Sequence, residues 1–296
     1  MQSPTRGVVE VQVHYLADAE SEPELARCQV VAEDALTLDV EGVGYYTLMW
    51  TPTEPLGEAS AFTLEDGVLG DTENPEALAL ALGFALSEGL VQGLEDIRSF
   101  ALCPDDPRVV RVQLRDPTQA VVMRKDVVVN SSCGICGPRD ILEDNALQLE
   151  PVASSLQLER QHLLTLMRGM RDSQEVFSQT GGSHAAAVFD ERGRVLAVAE
   201  DLGRHNALDK VIGKVLLQGG SVRGCGVVLS SRLSLEMVLK AVRAGLEVML
   251  AVSAPTSLAI EVAQKFNVTL AGFVRDQRAT VFTHPGRISG VGVDDD

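Results

Sequence analysis

The sequence predicts an α/β protein in which a mixed or mostly parallel sheet carries helices on both faces, preceded by a smaller β-rich unit. Three observations predict this class. The chain has 296 residues, enough for one large α/β unit with a smaller neighbour. Short strand patterns occupy much of the first half. The second half shows a hairpin pattern followed by alternating apolar strands and helices.

The N-terminal part of the chain gives the weakest signals. Residues 1–30 have no firm periodicity and are predicted as an edge strand with a loose leader. Residues 51–75 are rich in Pro and Gly, which is typical of a surface insertion made of loops. Residues 77–90 are rich in Ala and Leu and predict a helix, with Asn74 as its cap and Pro75 in its first turn.

Two strand patterns precede a pair of closely spaced cysteines. Residues 109–114 and 120–129 predict strands joined by a turn at residues 115–118. The second strand leads into residues 131–138, which contain too much Gly and Ser for the interior of a helix or strand. We therefore expect the cysteine pair in this segment to lie on a loop.

The second half predicts most of the main sheet. Residues 155–173 show helical spacing, and residues 185–189 and 195–199 flank a turn whose Gly193 tolerates positive φ. Helices and strands then alternate: a helix capped by Asn206 that ends near residue 218, a strand at 226–230, a helix capped by Ser234 that continues to residue 244, a strand at 248–252, a helix entered through Pro255-Thr256, and strands at 268–274 and 280–283.

Sheets of this kind bind ligands where their parallel strands end. Here those ends are predicted at residues 230–232, 253–256 and 275–278. The first and third of these segments carry arginines, whose guanidinium groups bind phosphate through paired hydrogen bonds. We therefore expect an anionic ligand at this edge, with ordinary exposed turns and surface solubility as the alternative interpretation.

Composition narrows the function. The net charge of −17 and the aromatic content of 4% disfavour a nucleic-acid-binding surface, so any anionic ligand must meet a local cluster of cations. The N-terminal residues lack the pattern of a secretory signal, and no apolar run approaches the roughly 18 residues of a membrane span. The expected location is the cytoplasm.

Five cysteines in a chain without a secretory signal favour reduced thiols over a disulfide framework. Cys28, Cys103 and Cys225 are isolated and are predicted to be small buried hydrophobic residues. Only Cys133 and Cys136 lie close together, so they are the candidates for chemistry.

Several kinds of site could contain Cys133 and Cys136. Structural zinc needs four ligands, and no second cysteine pair is present, so no metal is expected. A zinc deaminase is unsupported because neither His184 nor His205 begins a His-x-Glu motif. A redox dithiol normally begins a helix, which Gly137-Pro138 disfavours. Two buried structural cysteines remain an alternative, as does a thiolate that carries sulfane sulfur as a persulfide.

Several groups of residues resemble the motifs of the FdhD family, the formate dehydrogenase accessory sulfurtransferases. The resemblance extends over residues 33–288 and is carried by these segments: Ser131-Ser132-Cys133-Gly134-Ile135-Cys136-Gly137, Thr180-Gly181-Gly182-Ser183-His184-Ala185-Ala186, residues 200–213, residues 253–259, and Gly272-Phe273-Val274-Arg275.

The resemblance implies a function, a fold and a set of partners. It implies a sulfurtransferase with a persulfide on Cys133 and with Cys136 as a helper or resolving thiol. The sulfur would come from a cysteine desulfurase and pass to the molybdenum or tungsten bis-guanine-dinucleotide cofactor of formate dehydrogenase. The implied core is cytidine-deaminase-like without deaminase chemistry, and the implied assembly is a homodimer. A non-catalytic cofactor-binding scaffold and a dithiol oxidoreductase remain the alternatives.

This interpretation divides the chain into an N-terminal β-rich domain at residues 1–130, a cysteine loop and linker at 131–150, and a cofactor-binding domain at 151–296. The candidate cofactor-binding residues lie at predicted strand ends and at one helix start: Arg204, His205, Arg232, Phe273, Val274, Arg275, Asp276, Gln277 and Arg278.

The segment around Arg204 and His205 has more than one interpretation. Together with Glu200, Asp201 and Lys210 they form a cluster of five titratable residues around a helix start. A charged face exposed to solvent would show the same pattern. With Asn206 as the helix cap, Arg204 and His205 would be able to face a ligand. For the preceding motif, a tight turn at Gly181 and Gly182 with His184 as a hydrogen-bonded core residue is as consistent with the sequence as a role in a site.

Overall fold

The computed structural model describes residues 5–17, 22–54, 61–63, 76–120, 127–129, 149–275 and 278–291. These residues form two six-stranded sheets, a separate two-stranded ribbon and six α-helices. None of the helices in the described ranges has the length and hydropathy needed to cross a bilayer.

The ribbon consists of β1 (Val8–Tyr15) and β2 (Glu24–Val31), which pair antiparallel along their whole length. The expectation of one edge strand with a loose leader is therefore wrong. Cys28 lies on β2 and is exposed, so its prediction as a buried residue is also wrong, whereas Cys103 and Cys225 are buried as predicted. The pattern of β2 is irregular because most of its side chains contact solvent rather than a core.

The first large sheet has the strand order β5-β6-β7-β3-β4-β8. Its strands are β3 (Asp34–Val40), β4 (Gly44–Trp50), β5 (Ala61–Thr63), β6 (Ile97–Cys103), β7 (Asp106–Leu114) and β8 (Val127–Val129). Strand β7 and the end of the predicted strand at 120–129 are confirmed, but the two are not neighbours, because β3 and β4 lie between them and β8 pairs in parallel with β4. Strand β5 lies within the segment that was expected to contain only loops.

Helix α1 (Glu76–Ser87) follows and is buried along its whole length. Its side chains belong to one hydrophobic cluster that also contains residues of the first sheet, such as Leu38, and of later helices, such as Leu208. The predicted helix at residues 77–90 is confirmed, and its proposed cap at Asn74 and Pro75 lies outside the described residues.

The second large sheet has the order β10-β9-β11-β12-β13-β14. Its strands are β9 (His184–Phe189), β10 (Val195–Asp201), β11 (Gly226–Leu229), β12 (Val248–Ala251), β13 (Thr269–Arg275) and β14 (Arg278–Val281). The three central strands β11, β12 and β13 are parallel, and the flanking pairs are antiparallel. This arrangement confirms the predicted hairpin and the mixed α/β sheet.

Helices cover both faces of this sheet. They are α2 (Arg160–Asp172), α3 (Glu175–Thr180), α4 (Arg204–Leu217), α5 (Leu235–Ala244) and α6 (Ser257–Lys265). Buried residues of α4, α5 and α6 belong to the same cluster as α1, whereas those of α2 form a second cluster around Phe189. Alternate side chains of β9 enter the two clusters, as expected for a strand buried on both faces.

The start of α2 differs from the sequence prediction. The helix begins five residues later than residue 155, because the buried carboxylate of Glu247 accepts the backbone N–H groups of Ser155 (3.1 Å) and Leu156 (2.8 Å). Because these hydrogen bonds satisfy the N–H groups of Ser155 and Leu156, the two residues do not need a helix to pair them. Leu156 is fully buried in the second cluster, which explains its helix-like apolar position in the sequence.

Candidate functional site

The cysteine pair on which the sequence argument depends lies outside the described residues, as do Asp276 and Gln277. The structural account of the site therefore concerns the edge of the second sheet. Because β9 is antiparallel to β11, the first residue of β9 lies at the same edge as the last residues of β11, β12 and β13. We call this the carboxyl edge.

Three candidate residues meet at the carboxyl edge. Arg204 and His205 begin α4, and Arg232 follows β11 and is exposed. Burial has the largest effect on Arg204 and lowers its pKa. The charge of Glu236 raises this pKa, and the charge of Arg232 lowers it further. The half-buried Arg204 guanidinium makes no hydrogen bond or salt bridge with the residues that the structure describes. The two arginines therefore lie within electrostatic range of each other.

His205 is tied to the next helix. Its Nε2 atom lies 2.9 Å from the Oε2 atom of Glu236 in the first turn of α5, and both side chains are largely buried. This contact joins the start of α4 to the start of α5. Because Glu236 also lies within electrostatic range of Arg204, it offsets part of the positive charge at this edge.

His184 is not among the candidate cofactor-binding residues, and Ser230 was predicted only as part of a strand end. The Nδ1 atom of His184 lies 3.4 Å from the Oγ atom of Ser230, and Ser230 Oγ accepts the backbone N–H of Ala185 at 2.9 Å. Burial lowers the pKa of His184, and the nearby charges of Arg204 and His205 lower it further, against a smaller opposing effect of Asp201. The sequence feature that could have identified His184 is its position just before a predicted strand, beside the carboxyl edge.

The other charged groups around α4 have structural roles. Glu200 caps α3, because its carboxylate accepts the N–H groups of Val176 and Phe177, each at 2.9 Å. Asp201 is fully buried and lies 2.8 Å from the Nζ atom of Lys210. The interpretation of this cluster as a solvated charged face is therefore wrong for these three residues.

Asn206 does not cap α4. The helix begins after Gly203, and the side-chain amide of Asn206 donates to the Oδ1 atom of Asp201 (3.0 Å) and to the carbonyl of Met49 (2.7 Å). The Asp201 Oδ1 atom also accepts the N–H of Gly203 at 2.9 Å, so this carboxylate orders the turn that leads into α4. Asn206 instead joins α4 to the first sheet.

The second group of candidate residues lies at the end of β13. Phe273 is 38% exposed and has a φ of 54°, and its N–H donates to the carbonyl of Ser253 at 3.2 Å. Arg275 and Arg278 are exposed and pair across the β13–β14 turn. Val274 is fully buried in the second cluster, so its side chain is not available for contacts at this edge.

The two groups are connected through the loop after β12. Leu233 donates its N–H to the carbonyl of Ala254 at 3.1 Å, and the adjacent Ser253 accepts the N–H of Phe273. The segment that carries Arg232 is therefore bonded to the loop that supports Phe273. The carboxyl edge carries four arginines and two histidines at the ends of strands, at the start of α4 and on the loop after β11, in a chain whose net charge is −17.

The described residues offer no alternative centre for a metal. Across these ranges, no group of three or more His, Cys, Asp or Glu side chains is arranged to bind a metal ion. The buried carboxylates Asp201 and Asp209 are each paired with a lysine instead. Burial raises the pKa of Cys225 to about 11, so this thiol is protonated and unreactive at neutral pH.

Comparison with known proteins gives a consistent result. A sequence model described as the FdhD/NarQ family matches residues 74–289. A protein of Bordetella bronchiseptica named sulfur carrier protein FdhD is 38% identical over 88% of this chain and 87% of its own length. A protein of Saccharolobus solfataricus with the same name is 37% identical over 71% of this chain and 78% of its own.

A solved structure shares the fold. The crystal structure of a putative formate dehydrogenase accessory protein from Desulfotalea psychrophila aligns with a TM-score of 0.68 and 21% identity. The alignment covers 95% of this chain and 99% of that one. The likeness therefore extends over both large sheets.

Proposed function

This chain belongs to the FdhD/NarQ family, and from this premise we propose that it is a sulfur carrier in the maturation of formate dehydrogenase. The observation that carries the proposal is the 38% identity to a named sulfur carrier protein over 88% of the chain. The Desulfotalea psychrophila protein that shares its fold is named for formate dehydrogenase, which points to the same client enzyme.

In the proposed chemistry, Cys133 is the sulfur-carrying residue. Its thiolate attacks the outer sulfur of a persulfide on a cysteine desulfurase. A sulfur–sulfur bond forms at Cys133 while the bond in the donor breaks, and the donor cysteine leaves as a thiolate. The exchange needs no external oxidant or reductant. Cys136 acts as a helper or resolving thiol.

The proposed acceptor is a molybdenum or tungsten cofactor that carries guanine dinucleotides, bound as cargo at the carboxyl edge. Its pyrophosphates would contact Arg204 and Arg232, and the strand end at residues 273–278 would contact the guanine. The half-buried guanidinium of Arg204, which lacks a hydrogen bond within the described part of the chain, supports this placement. Guanidinium groups prefer such planar anionic partners. A homodimer and a deaminase-like core remain part of the proposal.

Intact-mass analysis tests the sulfur-carrying step. The protein is incubated with a cysteine desulfurase and cysteine, and the added mass of sulfur is measured without reductant. We expect the unmodified protein and Cys28→Ser to gain sulfur, Cys133→Ser to gain none, and Cys136→Ser to gain some. Cys28 is the matched control because it is exposed but lies on β2, outside the cysteine loop. Equal loading of Cys133→Ser and the unmodified protein would contradict the assignment.

The cationic carboxyl edge also favours a second candidate, a scaffold that binds the cofactor without carrying sulfur. The same measurement separates the two functions. A protein that binds a guanine nucleotide but gains no sulfur on any cysteine is a scaffold. A reversible bond between Cys133 and Cys136, formed without added sulfur, would instead indicate a dithiol oxidoreductase.

A further inference from the structure

His184 lies among charged groups at the start of β9. The charged groups that act on its pKa are Arg204 and His205 at the start of α4 and Asp201 at the end of β10. Asp201 is paired with Lys210, and His205 with Glu236. Arg204 has no such partner in the ranges that the structure describes. The ring of His184 therefore lies within electrostatic range of a guanidinium that makes no ion pair with the described residues, although Glu236 offsets part of its charge.

A hydrogen bond from Ser230 would place the proton of a neutral His184 on its other nitrogen. The Ser230 Oγ atom accepts the N–H of Ala185 and lies 3.4 Å from Nδ1 of His184, to which its own proton can be donated. Because burial and the adjacent cations lower the pKa of His184, the ring is neutral near pH 7. A neutral ring that accepts at Nδ1 carries its proton on Nε2.

We infer that the Nε2–H group of His184 donates a hydrogen bond to a phosphate oxygen of the ligand at the carboxyl edge, beside the guanidinium groups of Arg204 and Arg232. This inference rests on the proposed function, because it takes the pyrophosphate of a guanine dinucleotide as the ligand. A neutral donor is suited to this position, since a third full positive charge would repel the arginines before the anion arrives. Bound phosphate compensates that repulsion and favours protonation of the ring.

Calorimetric titration of the full chain with inorganic pyrophosphate tests the contact. His184→Ala removes the donor, and we expect its affinity to fall about tenfold, the loss typical of one hydrogen bond to a charged group. His184→Gln places an amide N–H near the position of Nε2, so its affinity near pH 8 should approach that of the unmodified protein. Unlike histidine, glutamine does not gain a charge at lower pH.

The pH profile separates ligand contact from a merely structural role. Between about pH 8 and about pH 5.5, the ratio of unmodified to His184→Gln affinity should rise several-fold as His184 takes up a proton. The sign follows from linkage, because the anion raises the pKa of His184 and therefore binds more tightly as pH falls. Using the ratio cancels the titration of pyrophosphate and of every protein group that the two proteins share.

Two results would overturn the inference. One is a His184→Ala variant that binds pyrophosphate as tightly as the unmodified protein, while the double variant Arg204→Ala with Arg232→Ala loses binding. That result would leave the proposed cofactor site in place without His184. The other is a ratio to His184→Gln that stays constant with pH, which decides the question even if the alanine variant does not fold. Absence of pyrophosphate binding by the unmodified protein would overturn both the inference and the cofactor placement, but persulfide loading on Cys133 is measured independently.

Discussion

Lys210 has no exposed surface, although it belongs to a segment that has the pattern of a charged helix start. Its ammonium group lies 2.8 Å from Asp201 and 3.3 Å from Glu76, and it donates to the carbonyl of Thr51 at 2.6 Å. It also lies 4.9 Å from the centre of the Trp50 ring. The sequence cannot reveal this arrangement, because Trp50, Thr51 and Glu76 lie in the first half of the chain. Neighbouring charges along a helix look the same whether they face water or a buried carboxylate.

Replacing Lys210 therefore tests the importance of the buried charges. We expect Lys210→Met to lower the free energy of unfolding by about 3–5 kcal/mol, because it leaves buried carboxylates without their cation. Arg27→Met is the matched control, since it breaks the exposed pair with Glu10 and should leave stability unchanged within error. Urea unfolding measures both changes. Equal losses of stability in the two variants would show that the buried charge of Lys210 stabilises the protein no more than an exposed ion pair does.

Residues at the carboxyl edge were predicted unevenly. Arg232 was identified at a predicted strand end, and Arg204 and His205 at a predicted helix start, because a ligand-binding edge in so acidic a chain needs local cations. His184 and Glu236 could not be assigned in the same way, because their importance depends on the antiparallel pairing of β9 with β11 and on the contact between α4 and α5. Val274 was included because it shares a motif with Phe273, but strand alternation directs its side chain into the core.

At the scale of elements, α1 and α4 pack closely because each has a glycine at the crossing. A Cβ atom on Gly213 would lie 1.8 Å from the carbonyl oxygen of Ala79, and one on Gly83 would lie 1.8 Å from that of Asp209. Such distances are far below van der Waals contact. The backbones of the two helices therefore touch directly, which fixes the position of α4 and of the residues at its start.

A pair of substitutions tests this packing. Gly213→Ala should lower the free energy of unfolding by about 1–3 kcal/mol, because the added methyl group forces the helices apart. Gly169→Ala in α2 should raise it by about 0.5–1 kcal/mol, because nothing lies within 4 Å of the new methyl group and alanine favours the helix. Thermal and urea unfolding give the two values. Stabilisation by both substitutions would show that the helix contact can relax at little cost.

Most elements of the second half were predicted from the sequence, since its strands are apolar and its turns contain Gly, Pro, Ser or Thr. The pairing of the first half was not predictable. Strands β7 and β8 follow one another in the chain but are separated in the sheet by β3 and β4, which a local pattern cannot show. Similarly, the late start of α2 depends on Glu247, a residue distant in sequence.

At the scale of the whole molecule, the two large sheets share one hydrophobic core. Trp50 of the first sheet, Leu80 of α1 and Met237 of α5 belong to the same buried cluster. A second set of buried charges reinforces it, because Lys240 of α5 contacts Asp209 of α4 at 2.8 Å and the hydroxyl of Ser87 at 2.8 Å. The division into domains at residues 1–130 and 151–296 stays a prediction, but these contacts oppose independent unfolding of the two parts.

The shared core leads to a prediction about cooperativity. Trp50 is the single tryptophan of the chain and lies in the first sheet, so its fluorescence reports unfolding there. Far-ultraviolet circular dichroism reports mainly the helices, five of which belong to the second half. Because α1 is buried between the two parts, loss of the first sheet would expose the apolar face of α4 and leave Lys210 and Asp209 with fewer partners. We therefore expect the two signals to change in one coincident urea transition. Two transitions with different midpoints would show instead that the second sheet and its carboxyl edge can persist after the first sheet has unfolded.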